Sequence, residues 1–501
     1  MTTPQTVDRE LADWQRLDPR MLLVYPVKEL IRFLPVLIGL FLAGTASGNA
    51  GDWWHGLGVA IPVSLGVLRY FTTSFRIAAG RVELRRGLVN RHLLSTPLDR
   101  VRTVDVTASP IHRVLGLTSV RIGTGTASTD DDDRIDLDGL PVERARQLRT
   151  DLLLLGETAD DTGTTDTTTA PVEPLVRFDP SWVRFAPLTS SGLVIAAGVL
   201  GAAMQGINLA GGLQRFDPER VANDAAGWSV WIAVPLALAG LLVIVTGLSI
   251  GGYLVTNWAF ELSHTGSARR GAWHLRRGLF TTRETTLDDE RVRGVSLGEP
   301  IGLRLARGAR VSAIVTGLGS KDSGSSILVP PAPRAVVERV AGLVLRTSAP
   351  LEAPLTGHGP RARTRRYTRV LWPTLALLLA VVALVVWADL PPWTLGIAAL
   401  AVPAALLLAR DRADALGHGL VERHLVARSG SIDRRREVLQ LDGVIGWNLR
   451  STWFQRRAGL TALVATTAGG RQSVTVIDVP EPAALALAQE AHPHLFDQFL
   501  L

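Results

Sequence analysis

Arginine doublets recur along this chain: Arg85-Arg86, Arg276-Arg277 and the run Arg434-Arg435-Arg436. A guanidinium offers a planar fork of donors that grips phosphate oxygens in pairs. These residues are therefore the candidate contacts to anionic lipid head groups. Nucleic acid would use the same charge, but no aromatics interleave with the arginines, and no nucleic-acid partner is expected. Other chemistry is poorly supplied. Zero cysteines exclude thiol catalysis, disulfides, Cys-ligated zinc and iron–sulfur clusters together. His492 and His494 form a close pair without an HExxH pattern and read as solvated terminal histidines. Gly319-Ser320-Lys321 lacks the hydroxyl that would follow a phosphate-loop lysine, and the G-x-G pairs at 123–125 and 317–319 lack a third glycine. Asp130 to Asp133 reads as a hairpin tip, since calcium loops need alternating ligands and a turn glycine. One G-x-S-x-G, Gly247 to Gly251, lies inside a continuous apolar run, where a nucleophile elbow cannot form. No catalytic residue, metal site or cofactor is expected.

The elements that carry the arginines are set by hydropathy. Of 501 residues, 47% are apolar and only 20% charged, below the ~25% charge of ordinary soluble domains. Apolar runs fall near 31–46, 54–69, 187–210, 228–254, 370–387 and 392–409. A membrane helix needs about 20 such residues, so six spans in three hairpins are expected, the first pair being short and interrupted by Arg32. A signal peptide is disfavoured, because residues 1–28 mix acids with bases and a second apolar run follows closely. The turns within the pairs hold only Arg215 and Arg220, whereas the outer flanks carry Lys28, Arg32, Arg177, Arg184, Arg361, Arg363, Arg365, Arg366, Arg369, Arg410 and Arg412. The positive-inside rule then places both termini and all soluble segments in the cytoplasm. Trp53, Trp54, Trp228, Trp231, Trp387 and Trp393 stand at the opposite ends, as an outer aromatic belt would. No ionisable group lies well inside any span, which weighs against a pump.

The soluble segments repeat. Leu-Arg-Arg-Gly-Leu occurs at 84–88 and again at 275–279, with a looser counterpart around Gly430. Fourteen residues past that glycine stand Val101, Val292 and Val444; a second glycine follows at Gly116, Gly308 and Gly459, offsets of 29, 30 and 29. Alternating stretches such as Ser119 to Gly123 and Ser473 to Ile477 read as strands, and each segment closes on a helical stretch near a proline. The expected layout is a leader over 1–30, hairpins over 31–69, 181–254 and 369–410, and small domains over 70–155, 255–347 and 411–501. Polar or Pro- and Arg-rich linkers run over 156–180 and 348–368, the first expected to be disordered.

This order of motifs resembles the bacterial pleckstrin-homology family of YdbS/YdbT-like multi-pass membrane proteins. The residues that carry the likeness are Tyr253-Leu254-Val255-Thr256, Leu275 to Leu279 and Arg291-Val292-Arg293, with equivalents at Tyr70 to Thr73, Leu84 to Leu88, Arg100 to Arg102 and Arg113 to Leu117. The third segment lacks the Tyr-x-x-Thr exit and the double arginine, and is expected to be degenerate. The resemblance implies a membrane α-helical plus α+β protein: each hairpin is followed by a seven-stranded pleckstrin-homology-like barrel with a C-terminal helix. It implies no known reaction. The expected role is a non-catalytic scaffold in the cytoplasmic membrane, binding lipid head groups and either a smaller relative or copies of itself, in envelope maintenance or stress tolerance. The alternative is a conduit or lipid-transfer component whose helices line a path past Gln205 and Asn208.

Overall fold

The computed structural model describes residues 14–46, 53–78, 81–87, 92–97, 103–123, 135–145, 147–148, 173–189, 230–267, 270–316, 326–387, 391–469 and 472–493, with isolated positions near 200. The expectations for the linker at 157–172, for Asp130 to Asp133, for Lys321 and for most of the third apolar run, with Asn208, lie outside these residues.

Three helices are long and apolar enough to cross a membrane: Ala239–Asn257, Gly359–Trp387 and Trp393–Asp414. A shorter apolar helix covers Val59–Thr72. The first pair is a helical hairpin, α1 (Met21–Ala46) and α2 (Trp53–Thr72). These helices cross closely at Gly66, where a Cβ would lie 2.6 Å from the Pro26 nitrogen. Helix α1 starts ten residues before the apolar run. Its first turns are buried in soluble protein rather than lipid: Met21, Val24 and Tyr25 are among the largest or most enclosed core side chains.

The strands explain why. Segment one comprises β1 (Gln15–Arg16), β2 (Ser74–Ala78), β3 (Arg81–Arg86) and β4 (His92–Pro97), then β5 (Thr103–Ala108), β6 (Leu117–Gly123) and β7 (Ile135–Pro141), with the short helix α3 (Pro110–Val114) between β5 and β6. Strand β1 pairs antiparallel with β2, Gln15 opposite Phe75. The sheet therefore begins before the hairpin and resumes after it. A hairpin enters and leaves a bilayer on one side, so it can be inserted between two neighbouring strands without breaking their pairing. In the second segment, too, a strand before the apolar stretch pairs with one after it: β8 (Val176–Arg177) with β9 (Glu261–Ser267). In the third, a bridge joins Thr356 to His418. Domains starting at 70 and 255 thus leave out one strand each, and one starting at 411 leaves out the bridging Thr356.

A second departure concerns closure. Separate barrels were expected, but strands pair between neighbouring segments. The chain divides into two compact units, Met1–Gly266 with Ala272–Leu287, and Ser267–Gly271 with Asp288–Leu501. In the first unit β5 pairs with β11 (Thr282–Asp288), giving the seven-stranded order β7-β6-β5-β11-β10-β9-β8, with β10 at Arg270–Arg277. In the second unit β12 (Val292–Pro300) pairs with β17 (Asp433–Gln440) over seven residue pairs. This makes the order β14-β13-β12-β17-β16-β15, with β13 at Gly308–Val315, β14 at Ile327–Pro333, β15 at Gly417–Val421 and β16 at His424–Ser429. A three-stranded half-sheet leaves a row of unpaired backbone groups at its edge, and the neighbouring half-sheet satisfies them. The last sheet is β18 (Gly446–Arg450), β19 (Leu460–Thr466) and β20 (Ser473–Pro480), closed by the helix Glu481–Ala491.

The core of the first segment joins Leu17, Tyr25, Phe75, Val82 and Leu84 to Val120, Ile122, Leu137 and Leu140. The third repeats the arrangement with Leu425, Leu439, Leu463, Val474, Val476 and Leu487. Each such side chain contributes about 1.5–3 kcal/mol on burial. The segments also align more closely than their glycines indicate. The residue that leaves the short helix in a left-handed conformation is Gly116 (φ +67°) in the first, Arg307 (φ +56°) in the second and Gly459 (φ +63°) in the third. Counted from Gly87, Gly278 and Gly430, the offset is then 29 each time; Gly308 is not the structural match.

Candidate functional site

The doublet Arg276-Arg277 ends β10, where Trp273 and Leu275 turn into the core and Arg276 points to solvent. Gly278 (φ +114°) reverses the chain there; a Cβ would strike the Thr281 carbonyl oxygen, so only glycine fits. The turn is pinned to the end of the membrane helix α4 (Val230–Asn257): Gly278 N donates to Trp258 O at 2.8 Å and Leu279 N to Val255 O at 2.9 Å. These bonds satisfy carbonyls that a helix C-terminus leaves open. From the other side comes Arg113 of α3, whose Nη1 donates to Leu279 O at 2.8 Å. The result is a cleft of about 190 Å³ lined by Arg113, Arg276 and Arg277, with Trp258, Ala259, Gly278, Leu279 and Thr282. Three arginines thus line a cleft beside the end of an apolar helix. Arg276 pairs with Glu284 at 3.4 Å, but both side chains are exposed, and such pairs are worth at most about 1 kcal/mol. Arg277 is buried.

Two carboxylates, Asp138 half-buried and Asp478 wholly buried, tie strands to apolar helices. Asp138, on β7, accepts from Lys28 Nζ of α1 at 2.7 Å and bonds His112 Nε2 of α3 at 3.1 Å. Burial opposes ionisation of Asp138, but the His112 hydrogen bond and the Lys28 charge outweigh it and hold the carboxyl at about 2. Asp478, on β20, is fully enclosed and pairs with Arg366 at 2.8 Å and Arg365 at 3.3 Å, both on α7 (Gly359–Trp387). Its Oδ1 also accepts from Gln455 Nε2 at 2.8 Å, from the short helix Trp453–Arg457. His112 and Gln455 occupy the same place, three residues past the capping residues Ser109 and Thr452. In both segments, then, the last strand, the short helix and the N-terminal part of an apolar helix meet at one carboxylate.

Residues 29–155 and 374–491 match the family of the bacterial PH domain. These two regions are similar to the bacterial PH domain. PH domains are in general non-catalytic binding modules. Most of the third segment, expected to be degenerate, falls within the second match, and both matches take in part of the apolar helices that precede the strands. No curated protein and no solved structure matches the chain.

The other arginines expected at head groups are placed differently. Arg85 lies with its guanidinium 4.2 Å over the Trp14 ring, which also carries Arg76 at 4.7 Å. Arg86 is half-buried beside it and has partners of its own. Arg434 pairs with Asp411 at 2.7 Å, Arg435 with Asp433 at 2.6 Å, and Arg436 donates to Ala353 O at 2.8 Å. Burial lowers the pKa of Arg434 and Arg436, so these groups are committed to internal partners rather than presented to a ligand. The middle doublet lines a cleft, and sequence reasoning did not pair it with Arg113.

Ser109, His112 and Asp138 have the residue types of a hydrolytic triad, with the Ser109 hydroxyl against Nδ1 and Asp138 against Nε2 of the imidazole. His112 is 2% exposed and both of its nitrogens are engaged, so substrate cannot reach it. Ser109 caps α3, accepting from His112 N. The cluster positions α3; it is not a nucleophile. Ser249, in the G-x-S-x-G, lies within the uninterrupted helix α4. Among the described residues no three or more His, Asp or Glu side chains converge to hold a metal.

Proposed function

We propose that this chain is a non-catalytic membrane scaffold of three PH-like repeats. Each repeat is anchored by a helical hairpin inserted after its first strand, and the cleft of Arg113, Arg276 and Arg277 holds an anionic lipid head group. The observation that carries the reading is the convergence of three arginines with Trp258 at the end of α4. Indole rings favour the membrane interface. Each arginine near the inner leaflet adds about 1 kcal/mol of attraction to anionic lipid. The arginine flanks support a cytoplasmic placement of the soluble segments, and the clamps at Asp138 and Asp478 support rigid coupling between soluble domain and hairpin. Proteins that share the scaffold gain effective concentration from confinement to the bilayer.

The test uses the full chain, because an excised second segment would lose β8 and the partners of β11 and β12. Purified protein is titrated calorimetrically with short-chain phosphatidylglycerol and, separately, short-chain phosphatidylcholine, at low and high salt. Saturable binding of the anionic lipid that weakens with salt and is lost in the double variant Arg113→Glu/Arg276→Glu is the expected result. Equal affinity for phosphatidylcholine, or binding unchanged in the variant, overturns the head-group reading.

A further inference from the structure

Two strand junctions inside the chain obey one register. At the first, Glu284 of β11 lies opposite Val106 of β5. Glu284 is six residues after the left-handed Gly278, and Val106 is ten before the left-handed Gly116. At the second, Arg436 of β17 lies opposite Leu297 of β12. Arg436 is again six residues after its left-handed glycine, Gly430, and Leu297 ten before the left-handed Arg307. The third strand after each hairpin thus pairs, at a fixed alignment, with the strand that opens the second half of the segment before it.

Applied to the ends of the chain, the rule leaves two strands over. Strand β4 of the first segment has β3 on one side and, among the described residues, no strand on the other. Strand β18 of the third has β19 on one side and likewise none on the other. Six residues after Gly87 (φ +109°) is Leu93, and ten before Gly459 is Leu449. Both leucines are exposed, at 55% and 42%. An open strand edge with apolar side chains is a template for another chain, and natural proteins normally blunt such edges.

We propose that β18 of one copy adds to β4 of a second copy, in the register that sets Leu449 opposite Leu93. The chain then assembles head to tail, continuing between molecules the sheet sharing that it uses within one. The occupant is a second copy because β4 presents, at the right distance from its own left-handed glycine, the strand that β5 and β12 each find inside the chain. The interface is heterologous, so it closes into a ring or extends as a row in the membrane plane. This goes beyond the head-group reading and does not depend on it.

The chain has no cysteine, which makes the test direct. Two tagged variants, Leu93→Cys and Leu449→Cys, are co-expressed, and the membranes are oxidised. Facing residues on antiparallel strands have Cβ atoms about 4.5–5.5 Å apart, near disulfide range. A covalent dimer carrying both tags is expected from the mixture and not from either variant alone. Asn448→Cys, one residue out of register and facing the other side of the sheet, should cross-link to Leu93→Cys at least tenfold less. In reducing conditions Leu449→Lys, at an exposed position, should shift the detergent-solubilised protein to monomer mass. Cross-linking of either single variant with itself, equal cross-linking of Asn448→Cys, an intramolecular disulfide in the doubly substituted chain, or monomer mass for the unmodified protein each overturns the proposal.

Discussion

Replacing Asp478 with asparagine would remove one charge and almost no volume. The carboxylate it deletes is wholly buried, and the guanidinium groups of Arg365 and Arg366 are only 12% and 8% exposed, at 3.3 and 2.8 Å. Gln455 Nε2 can still donate to the new amide oxygen, so the hydrogen bond at 2.8 Å survives and the change is electrostatic. Stranding one partner of a buried ion pair costs about 3–5 kcal/mol, because the remaining charge stays desolvated. That is roughly two to four decades in a local opening constant, at 1.36 kcal/mol per decade. The control has a shorter contact and the opposite burial: Arg423 and Asp442 lie 2.6 Å apart with side chains 76% and 68% exposed. Water screens that pair, and Asp442→Asn should cost less than about 1 kcal/mol. Hydrogen exchange of the full chain in lipid nanodiscs, read at residues 473–480 and 359–370, measures the opening of both elements. Protection should collapse in Asp478→Asn and barely move in Asp442→Asn. Changing the three residues together, Asp478→Leu with Arg365→Met and Arg366→Met, should restore most of it, since no charge is then stranded. Equal small losses in the two single variants, or no recovery in the triple, would refute the reasoning that burial rather than distance sets the strength of the clamp.

Three further outcomes follow from the packing. Burial first, then the charge of His418, depress the His358 imidazole to about 4, and burial also lowers His418. The unfolded chain therefore binds more protons below pH 6.5, so stability is full above that pH and falls progressively towards pH 4, by roughly 3 kcal/mol for a shift of this size. Thermal melts across this range should show the acid limb, and His358→Asn should flatten it; a pH-independent melting temperature counts against it. Arg307 holds a left-handed conformation with an exposed side chain where the other segments use glycine. Arg307→Gly relieves a backbone penalty of about 1–2 kcal/mol, less some unfolded-state entropy, and should leave the melting temperature unchanged or raised rather than lowered. Gly66→Leu would drive a side chain into the backbone of Pro26 and should separate α1 from α2, read as faster proteolysis near residue 50 at a destabilisation above about 1–3 kcal/mol.

Hydropathy and spacing were enough to find the apolar runs, three of which are helices long enough to cross a membrane, and to find strand-rich segments at a bacterial PH family. Those signals are local: a helix span is a run of neighbouring residues, and an alternating strand is another. The middle arginine doublet could be singled out from its residue types, and it lines the cleft with Arg113. Local reading went astray wherever partners are distant in sequence. Strand β1 is two residues long and lies before a hairpin, so nothing near it announces that Gln15 will pair with Phe75. The exchange of β5 and β12 into the next segment's sheet leaves no local mark, because a strand edge looks the same whichever neighbour fills it. Nothing near Asp138 or Asp478 in the sequence announces its partners. Lys28, 110 residues from Asp138, and Arg365 and Arg366, more than 100 before Asp478, become their counter-ions only after the membrane helices dock. Residue types along the chain therefore determined which chemistry was available. Tertiary pairing decided which charges were spent inside the protein and which, around Arg113, Arg276 and Arg277, line an open cleft.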